Sequence, residues 1–181
     1  YQTLLGRDPI SQEFSSYLNY LDSGCSRKLP FSIVANSEEC KTFFASYNVY
    51  SGHYTSDEII DRNPQVTAFV VRMYRMFLHR NSDPSGLADW VGRLLSQSIS
   101  GSGLVYGFYG SQEFMGISAK MSDSAYVTLL YQTILNRQPE SAGLEDWCGR
   151  LAAGADRQVI VDGFLGSPEF AGLCAAYGIT V

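Results

Sequence analysis

Long apolar runs are missing from this 181-residue chain. No stretch approaches the roughly 20 consecutive apolar residues that a membrane-crossing helix needs, so no single helix within it is expected to insert in a bilayer. Basic clusters are missing too. Thirteen Lys and Arg stand against 18 Asp and Glu, for a net charge of -5. No Lys/Arg patch is available to meet a phosphate backbone or an anionic lipid surface, which argues against nucleic acid and against membrane docking. Histidine is scarce. His53 and His79 are the two, and no cysteine or second histidine stands at zinc spacing to either. Cys-x-x-Cys, P-loop, dinucleotide-fingerprint and Gly-x-Ser-x-Gly patterns are all absent. Neither catalysis nor a cofactor nor a metal is expected.

What is present is apolar material. The chain is 45% hydrophobic and only 17% charged, a balance that builds a folded core rather than a disordered segment. It has neither an initiator Met nor a signal peptide, and it opens at Tyr1-Gln-Thr-Leu-Leu, in the middle of a repeat. This is the expected look of a piece of a longer protein, whose targeting segments would lie elsewhere.

The repeat is the main feature. Tyr74-Arg-Met-Phe-Leu-His-Arg80 is followed, after a turn, by Gly86-Leu87-Ala-Asp-Trp90-Val-Gly92-Arg93-Leu94. Tyr131-Gln-Thr-Ile-Leu-Asn-Arg137 is followed likewise by Gly143-Leu144-Glu-Asp-Trp147-Cys-Gly149-Arg150-Leu151. Tyr1-Gln-Thr-Leu-Leu-Gly-Arg7 keeps the spacing to Tyr17 and Leu21 but has lost both glycines, the Asp and the Trp. A second landmark follows in each copy: Ser37-Glu-Glu39, Ser111-Gln-Glu113 and Ser167-Pro-Glu169. The reading is three tandem multi-helix modules in one helical array: a degenerate, N-terminally truncated first module at 1–46, a tyrosine-rich insert at 47–64, and modules at 65–120 and 121–181. Val66, Phe69, Val70, Met73, Tyr74 and Phe77 recur at helical spacing. Asp83-Pro84 and Ser167-Pro168 read as an N-cap followed by proline in the first turn. Strand patterns are scarce, so the fold class is all-α.

These residues resemble the bacterial domain-of-unknown-function family 4214. Modules two and three match its Tyr, leucine pair, Arg, turn, Gly-Leu-x-x-Trp and Ser-x-Glu-Phe landmarks nearly throughout, and module one about halfway. A looser similarity links the Arg-turn-Gly-Leu-x-x-Trp stretch to phycobilisome linker domains. The resemblance implies a helical module of secreted and cell-surface bacterial proteins, with a binding or assembly role, and supplies no catalytic residue.

The candidate chemistry is weighed residue by residue. Trp90 and Trp147 lie on leucine stripes and read as core anchors rather than sugar platforms. Arg7, Arg80 and Arg137 read as caps on the last carbonyls of a helix. Asp89–Arg93 and Asp146–Arg150 are i,i+4 pairs. Gly92 and Gly149 suggest a close helix crossing. Asp83, Ser85 and Asp89 lack the calcium-loop pattern, and capping is the better reading. Four cysteines allow three pairings. Cys25–Cys40 and Cys148–Cys174 would each staple one module in an oxidising compartment, although four buried free thiols fit equally well.

Tyr47, Tyr50, His53, Tyr54, Tyr106 and Tyr109 are the candidate partner-binding residues, because exposed tyrosines make large contacts at low entropic cost. Packing of the first module against the second is the competing role for them. The leading expectation is therefore a non-enzymatic, extracellular or cell-surface bacterial binding and adhesion module. Its partner would be a protein, a host protein among the candidates. A carbohydrate-binding module and a structural spacer or self-assembly unit are the alternatives.

Overall fold

The computed structural model describes residues 1–181 and is helical, with 66% of residues in helices and no strand. Its contacts divide the chain into two units, Tyr1–Ala68 and Phe69–Val181. The first unit contains α1 (Gln2–Leu5), α2 (Ser11–Asp22), α3 (Lys28–Ala35) and α4 (Glu38–Ala45), then a 3-10 turn at Ile59–Asp61 and the opening of α5 (Pro64–Phe77). The second unit holds the rest of α5, then α6 (Pro84–Leu95), α7 (Gly101–Tyr109), α8 (Gln112–Ser118), α9 (Asp123–Ile134), α10 (Ser141–Ala152), α11 (Arg157–Leu165) and α12 (Pro168–Tyr177). Four helices thus recur three times, with the insert between the first set and the second.

Local chemistry explains where these helices start. The fourth helix of every set is capped by the serine of Ser-x-Glu. Ser37, Ser111 and Ser167 each accept the backbone N–H three residues on, at 3.1 Å. Asp83 accepts Gly86 N–H at 2.7 Å, with proline following the cap. A cap of this kind contributes about 1 kcal/mol. The first helix of each set ends alike. Gly6, His79 and Asn136, each just before the module arginine, all take the left-handed conformation, at φ 67, 51 and 55°. Glycine adopts this without strain, and Asn and His are among the side chains that tolerate it best. His79 thus serves as a turn residue.

In the second unit the core is aromatic. Tyr74 meets Phe108 edge-on at 4.8 Å, and Tyr131 meets Phe164 at the same distance. Phe77 packs on Phe114 at 4.5 Å. Trp90 and Trp147 are half-buried rather than fully enclosed. Each lies against a phenylalanine, Phe108 at 5.5 Å and Phe164 at 5.3 Å, and beneath an arginine, Arg93 and Arg150, both at 4.6 Å. Glycines make room for them. A Cβ at Gly107 would stand 2.7 Å from Trp90, and one at Gly163 only 2.5 Å from Trp147. In the Gly-Leu-x-x-Trp motif itself, a Cβ at Gly86 or Gly143 would overlap the Tyr74 or Tyr131 hydroxyl. The close crossing expected at Gly149 is not there, because an added Cβ would meet nothing within 4 Å. The crowded glycines belong to α7, α11 and the starts of α6 and α10.

The first unit has a thinner core, of Leu5, Val34 and Cys40, with Tyr1, Leu4, Tyr17 and Phe44 packed on it. Counting from the shared serine, Val34 takes the place of Phe108 and Phe164, and Cys40 that of Phe114 and Phe170. Less apolar volume is buried there.

Two substitutions in module three separate these glycines. Gly149→Ala should stabilise by about 0.5–1 kcal/mol, the helix-propensity difference alone. Gly163→Ala should destabilise by about 1–3 kcal/mol through overpacking against Trp147. Thermal or urea unfolding monitored by circular dichroism reads both, and the same sign for the two would contradict the packing described.

Candidate functional site

The arginine that closes the first helix of each set does more than cap it. In every module its guanidinium makes a two-bond fork with the glutamate of Ser-x-Glu. Arg7 donates from Nε and Nη2 to Glu39 at 2.5 and 2.7 Å. Arg80 reaches Glu113 at 2.9 and 3.3 Å, and Arg137 reaches Glu169 at 2.6 and 2.9 Å. Nη1 donates to the carbonyl of the residue that follows, Asp8, Asn81 or Gln138. The expected cap on the last helical carbonyls is replaced by this clamp. Each guanidinium also lies over the tyrosine that opens its motif, at 5.2 Å from Tyr1, 4.9 Å from Tyr74 and 4.7 Å from Tyr131. A second carboxylate completes the cluster: Glu13 for Arg7, Asp83 at 4.0 Å for Arg80, and Glu140 for Arg137. The near-constant Arg-to-Glu separation of 32, 33 and 32 residues is the sequence signal for this pairing.

The charges answer to one another. Glu13 is pushed down to about 2, first by its hydrogen bonds from Arg7 and then by the Ile10 N–H. Hydrogen bonds from arginine likewise lower Glu39, Glu140 and Glu169. Asp83 is lowered by the Gly86 N–H and the Ser85 hydroxyl, which is the capping use of that carboxylate. No group of three or more His, Cys, Asp or Glu is placed to hold a metal ion.

The insert is anchored at one end and displays its other end. The buried Asp61 carboxylate accepts Ser26 N–H at 2.7 Å, the Ser26 hydroxyl at 2.6 Å and the Ser56 hydroxyl at 2.5 Å. Lys28 bonds Asp57 and Glu58 at 2.6 and 2.8 Å. Asn36 brackets Tyr54, accepting its N–H and donating to its carbonyl, and the Tyr54 ring meets Phe31 edge-on at 5.0 Å. Ahead of this anchor the tyrosines face outward, Tyr47 at 67% and Tyr50 at 92% exposure. Tyr47 rests against Phe43 at 5.3 Å. His53 is exposed, with Thr55 at 3.2 Å.

The six candidate residues therefore divide. Tyr47, Tyr50 and His53 are open to solvent in the first unit, while Tyr54 is a half-buried anchor there. In the second unit, Tyr106 donates to Asp162 at 2.8 Å, and half-buried Tyr109 packs on Phe114 at 5.8 Å.

The disulfide staples considered from the sequence are not formed, and all four thiols are free. Their packing gives the reason. Cys40 occupies a core position with Leu5 and Val34. Cys25 is instead directed at the Ile60 carbonyl, at 3.6 Å. Buried Cys174 faces Gly101, whose Cβ would come within 2.7 Å of the sulfur, and Cys148 is half-buried on α10. Burial pushes Cys25 and Cys174 up to about 11.

Two adjoining stretches, residues 51–117 and 117–174, match the family described as "Domain of unknown function (DUF4214)". The chain belongs to this family. Each DUF4214 stretch contains one complete clamp, Arg80–Glu113 in the first and Arg137–Glu169 in the second. Residues 1–50 lie outside the match, yet Arg7–Glu39 repeats the clamp there with its tyrosine and its serine cap. Neither a curated protein nor a solved structure matches the chain.

Two outcomes follow. A carboxylate whose pKa is lowered on folding stabilises above its ordinary value near 4.5 and loses that contribution as the pH falls toward its folded value. The clamps made by Glu39 and Glu169 should thus weaken as the pH falls below about 4.5. Arg137→Gln should cost about 1 kcal/mol at pH 7, as befits a solvent-screened pair, and less at pH 2, where protonation of Glu169 and Glu140 is favoured. Thermal unfolding at the two pH values checks this, and an equal cost at both would remove the clamp as the cause. Separately, a thiol-reactive reagent without reductant should titrate all four cysteines once the chain is unfolded, and react slowly with Cys25 and Cys174 before. Fewer than four would mean that a bridge exists.

Proposed function

We propose that the chain is a non-enzymatic binding and adhesion module of a bacterial surface or secreted protein, which engages a protein partner through the aromatic-rich face of its first unit. The observation that carries this reading is the display of Tyr47 and Tyr50 on a segment whose far end is anchored by buried Asp61. Large aromatic side chains left in water lose little conformational freedom on binding, and such patches mark interaction sites. Phe14, Leu18, Phe31 and Ile33 are also exposed in the same unit. In the second unit Tyr106 and Tyr109 are already engaged by Asp162 and Phe114, which concentrates the reading on Tyr47, Tyr50 and His53.

The surface location and the host partner rest on the family resemblance and on tyrosine chemistry. A carbohydrate platform at Trp90 or Trp147 has less support, because arginine and phenylalanine already flank those rings. The test is a capture experiment from host secretions and mucins with the chain and with a Tyr47→Ala, Tyr50→Ala double variant. A captured protein should be lost with the double variant while the circular dichroism spectrum is unchanged. An unchanged profile would remove the insert from the site, and capture of glycan alone would favour the carbohydrate reading.

A further inference from the structure

Residues 46–58, between α4 and the 3-10 turn at Ile59–Asp61, are the longest part of the chain outside a helix. Connections beyond about 12 residues without secondary structure are uncommon in a compact domain and mostly serve a function of their own. The two halves of this one are held differently. From Tyr54 onward it is tied down by Asn36, Lys28 and Ser26, and the Cys25 thiol donates to the Ile60 carbonyl at 3.6 Å. At its start, the N–H groups of Tyr47, Asn48 and Val49 all bond back to α4 carbonyls, at 3.0 Å. Between these two holds, no backbone N–H or carbonyl of residues 50–53 is hydrogen-bonded within the chain. Tyr50 is 92% exposed. Gly52 takes φ 67°, and a Cβ there would meet nothing within 4 Å.

An endopeptidase takes its substrate as extended backbone, so a folded chain is nicked where backbone is exposed and unbonded. The side chains then select the enzyme. No Lys or Arg lies between Lys41 and Arg62, and no proline between Pro30 and Pro64. Lys41 is inside α4 and Arg62 closes the 3-10 turn, so a basic-specific protease finds no bond in the open stretch. An aromatic-specific one finds Tyr50, followed by the small residues Ser51 and Gly52. The other exposed large aromatics are less open to it. Phe14, Phe31 and Tyr106 are held in α2, α3 and α7, and Tyr47 sits in the bonded turn after α4 and packs on Phe43.

We propose that the insert is a processing site, cut after Tyr50 by an endopeptidase with a pocket for aromatic side chains, and that the product is a two-fragment form that stays assembled. Water adds across the bond between the Tyr50 carbonyl carbon and the Ser51 nitrogen, leaving a carboxylate on Tyr50 and an amino group on Ser51. The bonds that tie the insert to module one all lie beyond this point: Asn36 with Tyr54, Lys28 with Asp57 and Glu58, Ser26 with Asp61. Residues 1–50 therefore stay bound to residues 54–61 after the covalent link is gone. Cleavage releases Tyr50 from the anchored half of the insert without shedding the module. The site rests on backbone access and side-chain choice, so it stands or falls separately from any partner of the tyrosines.

The test digests the full chain with chymotrypsin and, in parallel, with trypsin, following intact mass over time. The first chymotryptic products should be residues 1–50 and 51–181, running together on size exclusion and separating in urea. Trypsin should consume the chain much more slowly. Tyr50→Ser should slow loss of the intact chain about tenfold, because cleavage then waits on the opening of a helix, and Tyr47→Ser should leave the rate unchanged. Circular dichroism checks that both variants keep the fold. A first cut at another bond, a Tyr50→Ser chain cut as fast as the original, or trypsin acting as fast as chymotrypsin would overturn the site. Fragments that part without denaturant would overturn the assembled product.

Discussion

A bidentate bond between one arginine and one glutamate closes each module. It joins the end of the first helix to the start of the fourth, across more than thirty residues of chain, and so sets where the two helices between them must turn back. A single exposed pair of this kind is worth little. Here it is a planar fork, flattened on a tyrosine ring and backed by a second carboxylate, and less freedom is lost for each bond made. The left-handed residue before each arginine aims the side chain, and the serine cap fixes the glutamate in the first helical turn. The other repeated features, namely the Trp, the glycines and the aromatic core, are packed within the frame this bond defines.

Much of this was legible in the sequence. The serine caps, the Asp83-Pro84 start, the apolar stripe of α5 and the Asp89–Arg93 pair are local patterns, and local physics placed them correctly. The arginine reads as a cap because a bond to a nearby carbonyl and a bond to a distant glutamate require the same residue, and only the near-constant spacing between two motifs distinguishes them. Gly149 was misread for a related reason, because a glycine in a helix does not say whether its missing Cβ faces a neighbour or open water. The roles of Tyr106 and Tyr109 depend on Asp162 and Phe114, which nothing in their own neighbourhood of the sequence announces.

Module one shows how far the frame tolerates change. It keeps the clamp while exchanging most of what the clamp surrounds. Glu13 stands where its siblings have the motif glycine, and its carboxylate joins the Arg7 cluster. Val34 and Cys40 stand where they have phenylalanine. Apolar side chains of α2 and α3 face solvent in the same unit that carries the outward tyrosines.

The tryptophan seats carry a further lesson. In modules two and three a glycine lies opposite the Trp, at Gly107 and Gly163. In module one the aromatic is Tyr17, and the residue at the glycine's place is Ile33. These two line the same surface hollow. The smaller ring, Tyr in place of Trp, goes with the larger aliphatic side chain, Ile in place of Gly. The two positions are therefore matched in size, and enlarging Gly107 or Gly163 with the Trp kept would crowd the ring.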